Sequence, residues 1–210
     1  MIRIATRLLG AGAILALAAC ASSPLHYYTL VAPADSSGPV PDEASPSPPF
    51  ELLPVGVPAQ VDQPQLVVRQ GAQGMAPLDS ERWIAPLGDE VRSALSADLA
   101  RQLHSQDVTG MVGSDRPGGD KPLLRIKLDL RRFDSQPGGY ALIEGAWSVR
   151  LLHGTRTGTL GCTSRISEAV GSGYDALVQG HQRAIGRLAA QIAATARALG
   201  NGQTPVCPAD

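Results

Sequence analysis

The first twenty residues determine where the rest of the chain has to fold. Arg3 and Arg7 provide a basic start, and an uncharged apolar run over residues 8–17 follows. A membrane-spanning helix needs roughly 20 apolar residues, whereas a basic start, a shorter apolar run and small residues are typical of a secretory signal. We therefore expect a signal peptide over residues 1–19 and a mature chain that begins at Cys20.

Cys20 gives this signal a more specific interpretation. Residues 17–20 read Leu-Ala-Ala-Cys and resemble the bacterial lipobox, in which the cysteine is lipidated and the peptide is cleaved before it. The alternatives are an ordinary signal with a cysteine nearby by chance, or an uncleaved anchor helix. We expect a lipid anchor on Cys20 and a short tether over residues 20–25. Ala21, rather than aspartate, follows the cysteine, which in similar enterobacterial lipoproteins favours the periplasmic face of the outer membrane over inner-membrane anchoring.

The mature chain has room for one domain with a sizeable core. Residues 20–210 fall within the usual range of single-domain lengths. The formal net charge is −1 and aromatic residues make up only 4% of the chain. The net charge gives no electrostatic reason to expect nucleic acid, and the scarcity of aromatic residues weakens any base-stacking platform, so we expect no nucleic acid among the partners.

Two cysteines remain once Cys20 carries lipid. In an oxidising compartment an even number of cysteines favours a disulfide, here between Cys162 and Cys207. Such a bridge would attach the C-terminal tail, residues 200–210, to a predicted strand. Two unpaired thiols are the alternative that the sequence leaves open.

Alternating apolar and polar residues predict a largely antiparallel or mixed sheet. Residues 32–49 contain six prolines, so we expect an exposed loop there, inserted between two strands of one sheet. Pro-Gly-Gly at residues 137–139 predicts a hairpin within a three-stranded meander. The predicted strands are 26–31, 50–57, 65–69, 75–78, 124–131, 140–152 and 157–167.

Two amphipathic helices complete the predicted fold. Leu87, Val91 and Leu95 begin an apolar repeat of four that continues to residue 103, directly after Pro86. A second helical pattern runs over residues 173–199. The fold class is therefore α+β: one domain over residues 26–210, with two helices packed mainly on one face of the sheet.

Sequence motifs of catalysis are missing. The chain has no Gly-x-Ser-x-Gly elbow, no phosphate-binding glycine loop and no His-Glu-x-x-His or Cys-x-x-Cys pair. Its four histidines are scattered, and His181 falls on the apolar face of the second helix, where a core histidine is expected. We expect no enzymatic activity, no metal, and no cofactor other than the covalent lipid on Cys20.

Several residues in predicted turns, or just before the first helix, could form a docking surface. Pro58, Asp62 and Pro64 lie in predicted turns, and Trp83 lies just before the first helix. Such residues could present a ridge to a partner protein. The alternative is that they only fix turns and fill the core.

Three segments together resemble the PqiC/YmbA family of ABC-type transport auxiliary lipoproteins. Residues 27–30 read Tyr-Tyr-Thr-Leu shortly after the lipobox, and residues 55–69 join a Val-Gly-Val-Pro stretch to Asp-Gln-Pro-Gln-Leu-Val-Val-Arg. Residues 82–87 read Arg-Trp-Ile-Ala-Pro-Leu. Gln63 departs from the family pattern, where arginine is common.

The resemblance implies a role that the residues do not show by themselves. It implies a non-catalytic, periplasm-facing subunit that works with an MCE-domain protein, and through it an ABC permease and ATPase, in lipid traffic between the two membranes. It also implies self-association, for which strand edges near Tyr27, Tyr28 or Val67 are candidates. The alternative function is an envelope-integrity lipoprotein that binds glycan or another envelope protein without a transport role.

Overall fold

The computed structural model describes residues 24–33, 47–111, 121–153 and 157–208. The predicted signal peptide and the lipidation position Cys20 lie outside these ranges. The described strands and helices, in chain order, are β1 (His26–Tyr28), β2 (Phe50–Leu52), β3 (Gln65–Gln70), β4 (Gly74–Trp83), α1 (Leu87–Leu103), β5 (Leu123–Gln136), β6 (Tyr140–Leu152), β7 (Gly158–Ala169) and α2 (Tyr174–Gly200).

The strands form two sheets. The small sheet has the order β1-β4-β3, with β1 parallel and β3 antiparallel to β4. The large sheet has the order β2-β5-β6-β7, with β2 parallel to β5 and the other neighbours antiparallel. Helix α2 packs across β6 and β7, and α1 packs against α2. The predicted α+β class with mixed strand pairing is confirmed, as is the β5-β6-β7 meander.

The proline-rich segment does not connect two strands of one sheet, as the sequence suggested. Strand β1 pairs with β4 in the small sheet, whereas β2 pairs with β5 in the large sheet. The prediction was wrong because alternation identifies a strand but not its partner, and both pairings are parallel contacts between residues far apart in sequence. The segment therefore joins the two sheets.

The predicted strand over residues 50–57 ends early, at Leu52. Pro54 has no N–H to donate, so it interrupts the ladder to β5. The chain nevertheless stays beside β5, because the Gly56 carbonyl accepts a hydrogen bond of 2.8 Å from the Leu130 N–H. A Cβ at position 56 would fall against the carboxylate of exposed Asp129, so that side chain would have to move aside.

Both helices lie close to their predicted positions. Helix α1 begins directly after Pro86 and ends before His104, which adopts a left-handed φ of 48°. Its repeat of four is buried without exception and joins a core shared with both sheets and α2. The buried residues of this stripe are Leu87, Val91, Leu95, Leu99 and Leu103. Neither of these helices has the length and apolar character that crossing a membrane requires.

Candidate functional site

A groove of about 380 Å³ lies where the end of β4 meets the turn before β3. The Trp83 N–H donates a 2.8 Å hydrogen bond to the Pro64 carbonyl, which holds the two segments side by side. We call this the docking groove. It is lined by Asp62, Gln63, Pro64, Trp83, Ile84, Ala85 and Pro86.

Trp83 contributes to the core as well as to the groove. Its side chain is only 6% exposed and meets the ring of Phe133 edge-on, with ring centroids 6.0 Å apart. A buried aromatic side chain held in this way fixes the wall of the groove rather than projecting from it. Trp83 therefore fills the core and also presents its rim to the groove.

Pro58 supports the turn but does not line the groove. Its carbonyl accepts a 3.0 Å hydrogen bond from the Val61 N–H, closing a turn that buries the Val61 side chain. Asp62 and Pro64 follow on the same turn and remain exposed. Burial of Val61 thus anchors the loop that carries the exposed groove residues.

Tyr27 and Tyr28 have different surroundings because successive strand residues point to opposite faces. The Tyr28 hydroxyl donates a 2.7 Å hydrogen bond to Glu81, which also accepts from His26 at 3.0 Å. Burial, and then this bond to the carboxylate, raise the pKa of Tyr28. Burial alone would raise the pKa of Glu81, but the bonds from Tyr28 and His26 outweigh it and lower that pKa. Tyr27 is 55% exposed and takes no part in this network.

The chemistry of the docking groove suits binding rather than reaction. Its walls are proline, tryptophan, isoleucine and alanine, and Asp62 is the one ionisable residue in the lining. The lining contains no Ser, Thr, Cys, Lys or His side chain, and Asp62 is its single carboxylate, so it offers no nucleophile–base pair. The arrangement can hold an extended, partly apolar chain segment, with Asp62 available to a cationic or N–H group at the rim.

A second depression, which the sequence did not reveal, lies between α1 and α2. It has a volume of about 340 Å³, and small residues on the two helices, Ala94, Ala97 and Gly186, leave the space. Asp98 lies in it beside Arg101. Burial raises the pKa of Asp98 more than the neighbouring arginine lowers it. The alternating small residues were the available signal, but they equally suit close helix packing.

The two predicted disulfide partners are joined in the structure. The Sγ atoms of Cys162 and Cys207 are 2.02 Å apart and the Cα atoms 5.6 Å apart. Cys162 is buried on β7, so the bond holds the C-terminal tail against the large sheet. The third cysteine, Cys20, lies outside the described residues.

His181 is a core residue. It is fully buried, stacks on Phe133 with ring centroids 3.9 Å apart, and shares a 2.8 Å hydrogen bond with Ser135. Burial lowers the pKa of His181 to about 3, against an opposing effect of Asp134. Across the described ranges, no three His, Cys, Asp or Glu side chains are grouped so that they could hold a metal ion.

The family model of the ABC-type transport auxiliary lipoprotein component matches residues 28–193. This chain belongs to that family. The match includes both segments that form the docking groove, the two helices up to residue 193, and the whole meander. The resemblance inferred from the sequence is confirmed.

Two crystal structures share the fold of this auxiliary lipoprotein. One, of an uncharacterized protein, has a TM-score of 0.55 and 21% identity, covering 81% of this chain and 97% of its own. The other, a protein from Xanthomonas campestris, has a TM-score of 0.53 and 14% identity, covering 84% and 96%. At these identities the likeness concerns the fold alone. None of the curated proteins matches the chain.

Family membership defines the general context of the protein. A lipoprotein family implies a membrane-anchored location in the cell envelope. An auxiliary transport component implies association with an ABC transport system.

Proposed function

We propose that this auxiliary lipoprotein is a non-catalytic, periplasm-facing subunit of an MCE-type ABC transport system that moves lipid between the inner and outer membranes. The family match over residues 28–193 carries the proposal. ATP hydrolysis would belong to a partner, which agrees with the missing phosphate-binding loop in the sequence. The subunit itself turns over no substrate.

The docking groove is the proposed contact for the MCE-domain protein. Its walls are fixed before binding by the Trp83–Pro64 hydrogen bond and by the packing of Trp83 on Phe133. A preorganised groove loses little conformational entropy when an extended segment enters it. Apolar walls with a single acidic rim residue, Asp62, suit a segment that carries apolar side chains and one basic residue.

The lipid on Cys20 would hold this groove at the periplasmic face of the outer membrane, where the subunit acts as a docking or receiving station. Tethering to one surface raises the effective concentration of weakly interacting partners. Weak contacts in the docking groove would then suffice for a stable assembly. This explains why a small adaptor without chemistry of its own can be a useful subunit.

Self-association is part of the proposal. Strands β1 and β3 form the two edges of the small sheet, and an exposed edge can pair with another chain. Tyr27 on β1 is well exposed and Val67 on β3 is buried, but edge pairing uses backbone N–H and C=O groups, so both strands remain candidates.

Affinity purification after crosslinking in intact envelopes tests the proposal. The wild-type chain should capture an MCE-domain protein together with an ABC permease or ATPase. Cys20→Ala, which cannot be lipidated, should lose most of that yield while keeping its fold. Capture of glycan or unrelated envelope proteins alone would favour the envelope-integrity alternative, and any robust hydrolase activity of the purified protein would contradict the proposal.

A further inference from the structure

We propose that the surface formed by Leu25 and Tyr27, here called the bilayer patch, lies directly on the lipid bilayer that holds the anchor, with Ile84 at the border between this patch and the docking groove. The inference rests on the lipid anchor of the proposed function and adds a second membrane contact, made by the folded domain. It implies that the domain is oriented on the membrane rather than free to turn on its tether.

Exposed apolar side chains are concentrated at this place. Four of the six large hydrophobic residues exposed in the described parts of the chain come from the segment 25–31 or lie beside it. The Ile84 N–H donates a 2.9 Å hydrogen bond to the Tyr28 carbonyl, which keeps Ile84 next to the end of β1. Single exposed apolar residues are ordinary, but a cluster marks an interaction surface. The exposed fractions are 48% for Leu25, 55% for Tyr27, 39% for Val31 and 63% for Ile84.

The patch residue Tyr27 cannot turn inward, because hydrogen bonds hold the chain on both sides of it. On the inner face of β1, His26 and Tyr28 are bonded to Glu81. After the strand, the Thr29 hydroxyl and the Leu30 N–H each donate a 2.8 Å hydrogen bond to the buried carboxylate of Glu90 on α1. Tyr27 therefore has to face outward.

The position of Cys20 argues for lipid as the occupant. Five peptide units separate Cys20 from Leu25, so the two Cα atoms lie at most about 18 Å apart. The interfacial region of a bilayer adds roughly 5–7 Å beyond each side of the hydrocarbon core. A lipid on Cys20 thus keeps the patch within about 18 Å of the anchored cysteine, close enough for it to reach the headgroup region.

The side-chain chemistry of the patch fits that region. Tyrosine is enriched at membrane interfaces, where its ring lies among the acyl chains and its hydroxyl stays hydrated. Arg82 is the cross-strand neighbour of Tyr27 and so lies on the same face. Arg82 is half-buried, and a guanidinium beside the patch adds positive charge that suits the phosphate groups of lipid headgroups.

The test uses the full lipidated chain in vesicles of phosphatidylethanolamine and phosphatidylglycerol. An environment-sensitive fluorophore is attached to one added cysteine, either Tyr27→Cys or, as a second probe, Leu25→Cys. These two positions do not line the docking groove. The control is Lys127→Cys, an exposed position on the large sheet.

On vesicles that carry nitroxide-labelled lipid, the probes at positions 25 and 27 should shift to shorter wavelength and be quenched several-fold more than the probe at 127. Equal quenching at all three positions, in protein that floats with the vesicles, would overturn the inference and leave the anchor intact. A shift of the probe at position 27 to shorter wavelength only after an MCE-domain protein is added would also overturn the inference, in favour of a protein occupant. Protein that does not float at all would contradict the anchor itself.

Discussion

Arg69 on β3 and Asp134 on β5 form a doubly bonded ion pair that joins the small sheet to the large one. The Arg69 Nε lies 3.2 Å from Oδ1 and its Nη2 lies 2.7 Å from Oδ2, which also accepts from Arg132 at 2.7 Å. The Asp134 side chain is 4% exposed. Its burial would raise the pKa, but the hydrogen bonds from the two arginines outweigh that effect and lower it.

The first prediction concerns acid stability. Because the folded pKa of Asp134 is depressed, its contribution is complete above the unfolded value of about 3.9 and is lost as the pH falls through the folded value. Asp134→Asn should therefore lower stability by roughly 1–2 kcal/mol at neutral pH and show a shallower loss below pH 4. Urea unfolding at several pH values measures this. Asp79→Asn, at an exposed position on β4, is the matched control. It should leave both the stability at neutral pH and the loss of stability below pH 4 nearly unchanged.

The second prediction concerns His181 at a higher pH. An unfolded histidine titrates near pH 6.5, whereas the pKa of buried His181 is about 3. Stability contributed by its neutral form is complete above pH 6.5 and falls by up to about 1.4 kcal/mol per unit as the pH decreases toward 3.

His181→Gln should flatten the stability profile between pH 6.5 and about pH 4.5, although the lost stacking on Phe133 lowers stability at pH 7. The control His153→Asn, at an exposed histidine with φ of 60°, should keep the wild-type slope, since asparagine tolerates that conformation. Unchanged slopes in His181→Gln would show that another group causes the acid sensitivity.

The third prediction concerns the close approach of α2 to the large sheet at Gly180. A Cβ there would collide with the Val170 side chain and lie 2.9 Å from the Ala141 Cβ. At Gly186 on the same helix, the nearest atom would be 3.5 Å away, an ordinary contact. Both alanine variants gain about 1 kcal/mol of helix propensity. Only Gly180→Ala also suffers the collision, which costs roughly 1–3 kcal/mol, so the two variants should differ in stability. Gly180→Ala should be less stable than Gly186→Ala in thermal unfolding, and equal melting temperatures would contradict the packing described.

The fourth prediction concerns the disulfide. It joins residues 45 positions apart. The chain-entropy model assigns a loop of that length a stabilisation of about 4 kcal/mol, and engineered disulfides often deliver less than the model gives. Replacing both Cys162 and Cys207 with alanine should lower stability by up to that amount. A reducing agent should destabilise the wild type by a similar amount and leave the double variant unaffected. Sensitivity of the double variant to reduction would show that the bond is not the cause.

Local sequence patterns were sufficient for most elements of the fold. The repeat of four from Leu87 and the alternation from Leu124 predict α1 and β5 because each reports which face of one element is buried. The same patterns do not indicate which strands pair with each other, so they did not predict that β1 and β2 belong to different sheets. The Arg69–Asp134 pair was missed for the same reason, since its members are 65 residues apart and both resemble ordinary surface charges.

The candidate site was predicted in part. The structure brings Asp62, Pro64 and Trp83 together in the docking groove, but it places Pro58 outside the lining and Tyr28 in a network with Glu81. Adjacent strand residues necessarily separate to opposite faces, so Tyr27 and Tyr28 could not share one surface. Neither the volume of the groove nor the fixing of Trp83 by Phe133 could be obtained from the sequence. The first depends on how the end of β4 lies against the turn before β3, and the second on how the two sheets meet.

Site-specific crosslinking in intact envelopes tests the central claim most directly. A photoreactive amino acid replaces Asp62 in the docking groove or, as the control, Lys127 on the large sheet, and the captured proteins are identified by mass spectrometry. We predict that an MCE-domain protein is captured from position 62 and not from position 127. Capture of that protein equally from both positions would contradict the groove as its contact, and its absence from both, with the lipoprotein present at the membrane, would contradict the transport role itself.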